Sequence, residues 1–519
     1  MYKRHLNQPS LLDEAENFGG IPLNPENDWV RLTKMIPWDI IEDEYNKKLC
    51  PNNGQTACTG RMAFGALLIK ERYGLSDVDT VAEITMNPYL QYFIGLVTFQ
   101  YKTPFDASMM TRFRQRFTPE FLQKMNDLII GRPDVEENTS DNDESDNSNK
   151  PGDGGTSNGD TGGGDSAAET QSADAAVVSE SNEGTLILDA TCAPQAIRYP
   201  TDVSLLNEAR LTTEEVIDVL HQYDLTGTEK KPRTYRKEAR NKYNSFSKSR
   251  KKSKKQIRKA IREQLQYLRR NLGIIKEIAR EHPDGYRIAL GTKLIERMAT
   301  VQTVFEQQKE MYDEKKHTID NRIVSLSQPW IRPIVRGKQR AEVEFGAKVE
   351  MSVVEGYLRI EDLRWDAYNE STTLQDSVKS YQKAYGHYPA RVLADTIFRT
   401  RENLRFCKEL GIHMNGPKLG RRAKDGGKAY KEALKQEWLE SGERGEIERQ
   451  FGVAKRRYSL AAVVTKLKDS SEAAIHIAVM TMNLWKKLRL LLRFFLRRRN
   501  YAMFVPFRGE FFLRTHFCS

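Results

Sequence analysis

Two apolar runs in this sequence each lead to an aspartate: TLILDAT (Thr185–Thr191) reaches Asp189 and RVLADT (Arg391–Thr396) reaches Asp395. A carboxylate at an exposed strand end is either a cap or turn residue, or a metal ligand of the kind α/β enzymes carry there. Two such acids on adjacent strand ends would reach one ion. Mg²⁺ takes hard oxygen ligands, commonly one or two carboxylates with phosphate oxygens completing the shell. A third carboxylate would make a two-ion centre for phosphodiester chemistry.

The stretch RGEIERQFGVAKRRY (Arg444–Tyr458) supplies a candidate. On a helix, Arg444, Glu448 and Lys455 fall within about 40° of one another, and Glu446 lies nearly opposite Glu448. One face therefore offers an acid flanked by two cations. That is either an ordinary Arg–Glu pair on a solvated helix, contributing about 0.2–0.5 kcal/mol, or an acidic ligand beside a phosphate path. Glu446 reads as an ion-pair partner.

These residues need elements to hold them. Thr185–Thr191, two strands flanking Glu355-Gly356, Arg391–Thr396 and Gly411–Gly416 read as strands. Helical patterns cover Thr372–Tyr385, Arg401–Leu410, Ala429–Leu439 and Glu443–Tyr458. Strands alternating with helices indicate an α/β domain over 184–471. Ahead of it, helical periodicity from about Asn27 to Ile130, with Ser76 and Asp106 or Ser108 as N-caps and Gly74 as a stop, indicates an all-α domain over 1–132. Residues 472–519 form a basic helix and an aromatic, basic tail. Asp202 reads as a helix cap or a group near the site, and Cys192 as a packing residue.

The net charge of +11 is unevenly spread: Pro133–Glu183 holds 14 acidic residues and one basic one, a local −13, leaving +24 for the rest. That acidic stretch is rich in Gly, Ser and Asn and reads as a disordered linker. Between about 204 and 333 lies a mostly helical insertion whose core, Lys230–Arg270, has 18 basic and two acidic residues. Clustering of this kind points to a polyanion, nucleic acid before membrane. Lys251, Lys252, Lys254, Lys255 and Arg258, with Arg332 and Lys338 of RPIVRGK, are the candidates for phosphate contact, together with Arg444 and Lys455. GPKLGRRAK (Gly416–Lys424) adds further basic side chains. The five cysteines and eight histidines show no ligand spacing. No apolar signal core or bilayer-length run is present, so a cytoplasmic location is expected.

Taken together, Asp189, Asp395 and the R-x3-E-x6-K helix resemble the DDE insertion-sequence transposases. The closest resemblance is to the group whose third acid lies in a Y-x2-R-x3-E-x6-K signature. Here Ser441 stands in the tyrosine position. NDWVRLTKMIPW, LDATCAPQAIRYPTD, VLADTIFRTREN and IERQFGVAKRRY resemble that family as well. The resemblance implies an RNase H-like catalytic fold with Asp189, Asp395 and Glu448 as catalytic metal ligands. It implies two Mg²⁺ ions, with Mn²⁺ as a substitute, and double-stranded DNA as substrate, cut and joined by a homodimer on DNA in a bacterial or archaeal cell. The 206 residues between the two aspartates are long for that fold, and the basic insertion accounts for them. An RNase H-like nuclease without strand transfer and an inactive DNA-binding derivative are the alternatives. The N-terminal helices would read element ends or pair protomers.

Overall fold

The computed structural model describes residues 18–50, 57–131, 182–227, 229–338, 341–417 and 427–503. All but the last two residues of the expected linker lie outside these, as do 418–424 of the basic GPKLGRRAK stretch and the tail beyond Met503.

Among the described residues seven helices come first: α1 (Asp28–Thr33), α2 (Trp38–Asn46), α3 (Gly60–Tyr73), α4 (Asp77–Met86), α5 (Pro88–Phe93), α6 (Met109–Arg116) and α7 (Pro119–Ile130). Their limits follow from local chemistry. The Thr59, Ser76 and Thr118 side chains accept the orphan N–H groups at the starts of α3, α4 and α7. Gly74 and Gly131 close α3 and α7 in the left-handed region. Ahead of α6, Asp106 accepts from the Ser108 N–H. Trp29, Phe64, Leu67, Phe93, Phe113 and Leu122 fill the shared core.

Among the described residues the six strands are β1 (Thr185–Pro194), β2 (Arg332–Lys338), β3 (Ala341–Val354), β4 (Tyr357–Arg364), β5 (Arg391–Ala394) and β6 (His413–Met414). They form one sheet in which β3 is antiparallel to β1, β5 and β6 run parallel to it, and β2 and β4 share the far edge of β3. Glu355 and Gly356 both adopt positive φ (52° and 79°), as the tight β3–β4 hairpin requires. RPIVRGK, read above only for its charges, is strand β2.

The insertion packs α8 (Asp202–Gln222), α9 (Arg236–Lys248), α10 (Lys254–Glu281) and α11 (Pro283–Asp313) around Leu206, Ile217, Leu268 and Val301. Asp202 does not cap α8. Thr201 does, in a reciprocal capping box with Ser204, while Asp202 holds Gln308 and Arg322. After β4 come α12 (Leu374–Tyr385) and α13 (Arg401–Glu409) on one face of the sheet, and α14 (Lys428–Arg457) and α15 (Lys468–Met503) on the other. The two helices expected at 429–439 and 443–458 are one: α14 runs through Gly442, and buried Glu440 ties its middle to His413 at 2.8 Å.

α15 begins before Glu472 and is a wedge rather than an appendage. Ile477, Met480, Leu484 and Trp485 join the N-terminal core, while Ile475, Ala478, Val479 and Met482 join the sheet core. From this wedge the fully buried Asn483 serves as a substitute strand for the outer edge of β4. Its amide nitrogen donates to Leu358 O (2.6 Å) and Asn126 Oδ1 (2.8 Å), and its oxygen accepts Leu358 N–H (3.1 Å). Asn483→Leu strands the buried Leu358 N–H, while Leu358 O keeps the Asn126 amide at 3.3 Å, and should lower unfolding free energy by about 2 kcal/mol. Denaturant titration checks this, and an unchanged midpoint would contradict the assignment.

Candidate active site

Asp189 stands opposite Met351 on β1, and its neighbour Leu188 pairs with Ala394, the last residue of β5. One further step in register sets Asp189 beside Asp395, where β5 ends and the sheet opens. Asp395 caps the 3-10 turn Thr396–Phe398, its Oδ1 accepting the Thr396 N–H at 2.6 Å.

α14 brings the third acid. Ile447, Phe451, Ala454 and Tyr458 are buried against the sheet, which fixes the helix's rotation. Glu448, next to Ile447, therefore sits on the flank, 59% exposed. Arg444, one turn earlier, reaches between: Nη1 lies 3.7 Å from Asp189 Oδ2 and Nη2 donates to Glu448 Oε1 at 3.0 Å. A single guanidinium thus spans two of the three acids. Lys455 follows on the same helical phase, half-buried. Glu446 is directed elsewhere, accepting from Arg449 (2.9 and 2.7 Å) and Gln450 (2.8 Å), whose amide also donates to Gly356 O. Burial acts to raise its carboxyl, but those partners hold it below the usual range.

Asp189 is pushed up to about 6, chiefly by burial; the Ala190 N–H and Arg444 oppose this, and the charges of Glu370 and Asp395 add to it. Glu370 escaped the sequence reading. It lies in the 3-10 turn Glu370–Thr372 and pairs with Lys348 at 2.8 Å. Asn403 also escaped it. Its buried amide donates to Ser371 O and Phe398 O, tying that turn to the one Asp395 caps. Neither residue has a periodic or motif signal, because each works across loops distant in sequence.

Among the described residues, no group of three or more His, Cys, Asp or Glu side chains is gathered closely enough to hold a metal ion. Carboxylate oxygens are the donor type a hard divalent cation takes, and the half-buried Asp189 carboxylate has the Arg444 guanidinium 3.7 Å away as countercharge.

The basic candidates separate by position. Lys251, Lys252, Lys254, Lys255 and Arg258 are exposed where α9 gives way to α10. Lys252 lies over Phe246 (5.2 Å), Arg258 over Tyr312 (4.1 Å), and Tyr235 is covered by Arg233 and Arg270, so these rings brace cations. Arg332 turns onto the carbonyls of Pro329 and Ile331, and its guanidinium first secures the start of β2. Lys338 closes β2, paired with Ala341. Cys192 is buried, as a packing residue would be. Among the described residues no helix is long and apolar enough to cross a membrane.

Residues 392–485 match the transposase DDE domain, a span that contains Asp395 and Glu448, and residues 21–116, covering α1 to α6, match a transposase domain (DUF772). A Rhizobium meliloti protein described as "Uncharacterized protein ORF8 in nfe locus" is 35% identical over 103 residues, 20% of this chain and 49% of that one. The chain thus spans about half the length of that relative. No solved structure matches significantly.

A carboxyl raised by folding binds its proton more tightly in the native state, so stability falls as pH rises from the ordinary value, 3.8, to about 6. Asp189→Asn removes that loss. The variant should be more stable than the parent above pH 6, by on the order of 2 kcal/mol, and indistinguishable near pH 3.8. Unfolding midpoints across pH test this, and a variant less stable at pH 8 would contradict it.

Proposed function

We propose that the chain, whose residues 392–485 and 21–116 match transposase domains, acts as an insertion-sequence DDE transposase: it binds its element's terminal inverted repeats, cleaves phosphodiesters to expose 3′-OH ends and joins those ends to target DNA. The observation that carries this reading is Arg444 spanning Asp189 and Glu448 on the helix phase the sequence predicted, with Asp395 next in register to Asp189. The sheet supports an RNase H-like catalytic domain, with the first acid on the central strand, the second just past a parallel neighbour and the third on a following helix.

Asp189, Asp395 and Glu448 would hold two Mg²⁺ ions, with Mn²⁺ as a substitute. When bound, the ions supply activation of the attacking oxygen and stabilisation of the leaving one. The chain's own residues do the rest. Asp189 would serve as a ligand in its ionised form. Arg444 and Lys455, on the same phase of α14 as Glu448, would contact phosphate oxygens near the scissile bond. The lysines at the α9–α10 junction and Arg258 neutralise phosphates further along, giving affinity without sequence choice. Lys338, expected from the sequence to contact phosphate, has its side chain outside the described residues. Joining two ends requires two active sites, so the working unit is a homodimer on double-stranded DNA, acting in the cytoplasm at the nucleoid. The N-terminal helices hold the paired ends.

Two experiments test this. In Mg²⁺-dependent cleavage of duplexes carrying the element's own ends, Asp189→Asn, Asp395→Asn and Glu448→Gln should each lose about 10³-fold or more of activity while retaining DNA affinity. Glu446→Gln should stay near parental activity. An active Glu448→Gln enzyme would overturn the assignment, and cleavage without joined target products would identify a nuclease. Replacing Lys251, Lys252, Lys254 and Lys255 together by Gln should flatten the slope of log affinity against log salt by about 3–4. An unchanged slope would remove that loop from the DNA path.

A further inference from the structure

The structure assigns Asn415 as the positioning residue for Asp395, a role that rests on the reading of Asp395 as a catalytic ligand. Strands β5 and β6 share only two register pairs, Arg391 with His413 and Val392 with Met414. The ladder then continues by one backbone bond, Asn415 N–H to Val392 O at 3.1 Å. In a parallel ladder the next bond would run from the Ala394 N–H to the main-chain carbonyl of residue 415. Here the Asn415 side chain takes that place, its Oδ1 accepting the Ala394 N–H at 2.9 Å. The displaced main-chain carbonyl of Asn415 is held instead by the Arg399 guanidinium, which also reaches Pro417 O.

This exchange has two consequences. It satisfies the last backbone donor before Asp395, so β5 stays straight up to the residue that must present its carboxylate. It also frees the main chain to leave the sheet at once. Gly416 turns away at φ 95°, with Arg399 side-chain atoms 3.2–3.3 Å from where a Cβ would sit. Had the strand continued with ordinary pairing, β6 would run alongside Asp395 and close the opening that Glu448 faces. On its other side, the turn capped by Asp395 is fixed by Asn403 at Phe398 O (2.9 Å). Asp395 is therefore bracketed by two amide side chains, and the Asn415 amide is the one bonded to the residue immediately before it.

The test uses the full chain, with Mn²⁺ alone as the binding probe and a duplex carrying the element's end as substrate. Asn415→Leu removes the acceptor, whereas Asn415→Asp keeps an acceptor oxygen in place. Asn415→Leu should weaken Mn²⁺ binding by about 10-fold or more and lower kcat comparably, leaving the KM for DNA unchanged. Asn415→Asp should restore both to near the parental values. Parental Mn²⁺ affinity and kcat in Asn415→Leu, or equal impairment of the two variants, would overturn the proposal. Asp395→Asn, measured in parallel, separates the two layers. If it binds Mn²⁺ and cleaves normally, the catalytic reading of Asp395 fails along with the proposal. If it is impaired and Asn415→Leu is not, only the positioning role fails.

Discussion

A half-buried carboxylate in the middle of a sheet, with other carboxylates near, is stabilised either by a positive charge or by keeping its proton. Asp189 is under that constraint, and much of the surrounding architecture answers it. Arg444 is the local answer: its guanidinium lies within reach of Asp189 and donates to Glu448. Glu350, on the opposite face of the same sheet, shows the other solution. It is fully buried, accepts hydrogen bonds from the Thr373 and Ser377 hydroxyls, and is raised to about 7 by burial. Glu350 is accommodated by neutral hydroxyl donors. Asp189 has a cation beside it instead, the Arg444 guanidinium.

Holding the guanidinium there requires α14 at one rotation. Ile447, Phe451, Ala454 and Tyr458 fix it against the sheet, and α15 backs the same core while its other side enters the N-terminal helices. Trp485 of α15 stacks edge-on to Trp29 of α1 at 4.8 Å. The helical N-terminal part and the sheet are therefore joined by a shared helix, so a disturbance in one is felt through α15 at the elements that carry the acids.

The three candidate acids stood out in the sequence because they follow local rules. Two apolar runs ended in aspartate, and a 3.6-residue period separated Glu448 from Glu446. The Glu355-Gly356 hairpin was equally plain. What escaped depends on tertiary partners. Nothing local distinguishes one thirty-residue α14 from two shorter helices, because Gly442 breaks the pattern and only the pairing of Glu440 with His413 shows continuity. Strand β2 was masked by its own charges. The substitution of a side chain for a backbone acceptor at Asn415, and the tie Asn403 makes between two turns, join segments that sequence periodicity cannot relate.

The central claim is that three acids, distant in the chain, surround one cation-binding space. Iron-directed backbone cleavage tests it most directly. Fe²⁺ bound in place of Mg²⁺, with ascorbate and peroxide, generates hydroxyl radicals that cut the polypeptide only near the ion. The account predicts cuts clustered around residues 189, 395 and 448 together, suppressed by excess Mg²⁺ and lost in Glu448→Gln. Cuts confined to one of these segments, or placed elsewhere and indifferent to Mg²⁺, would contradict it.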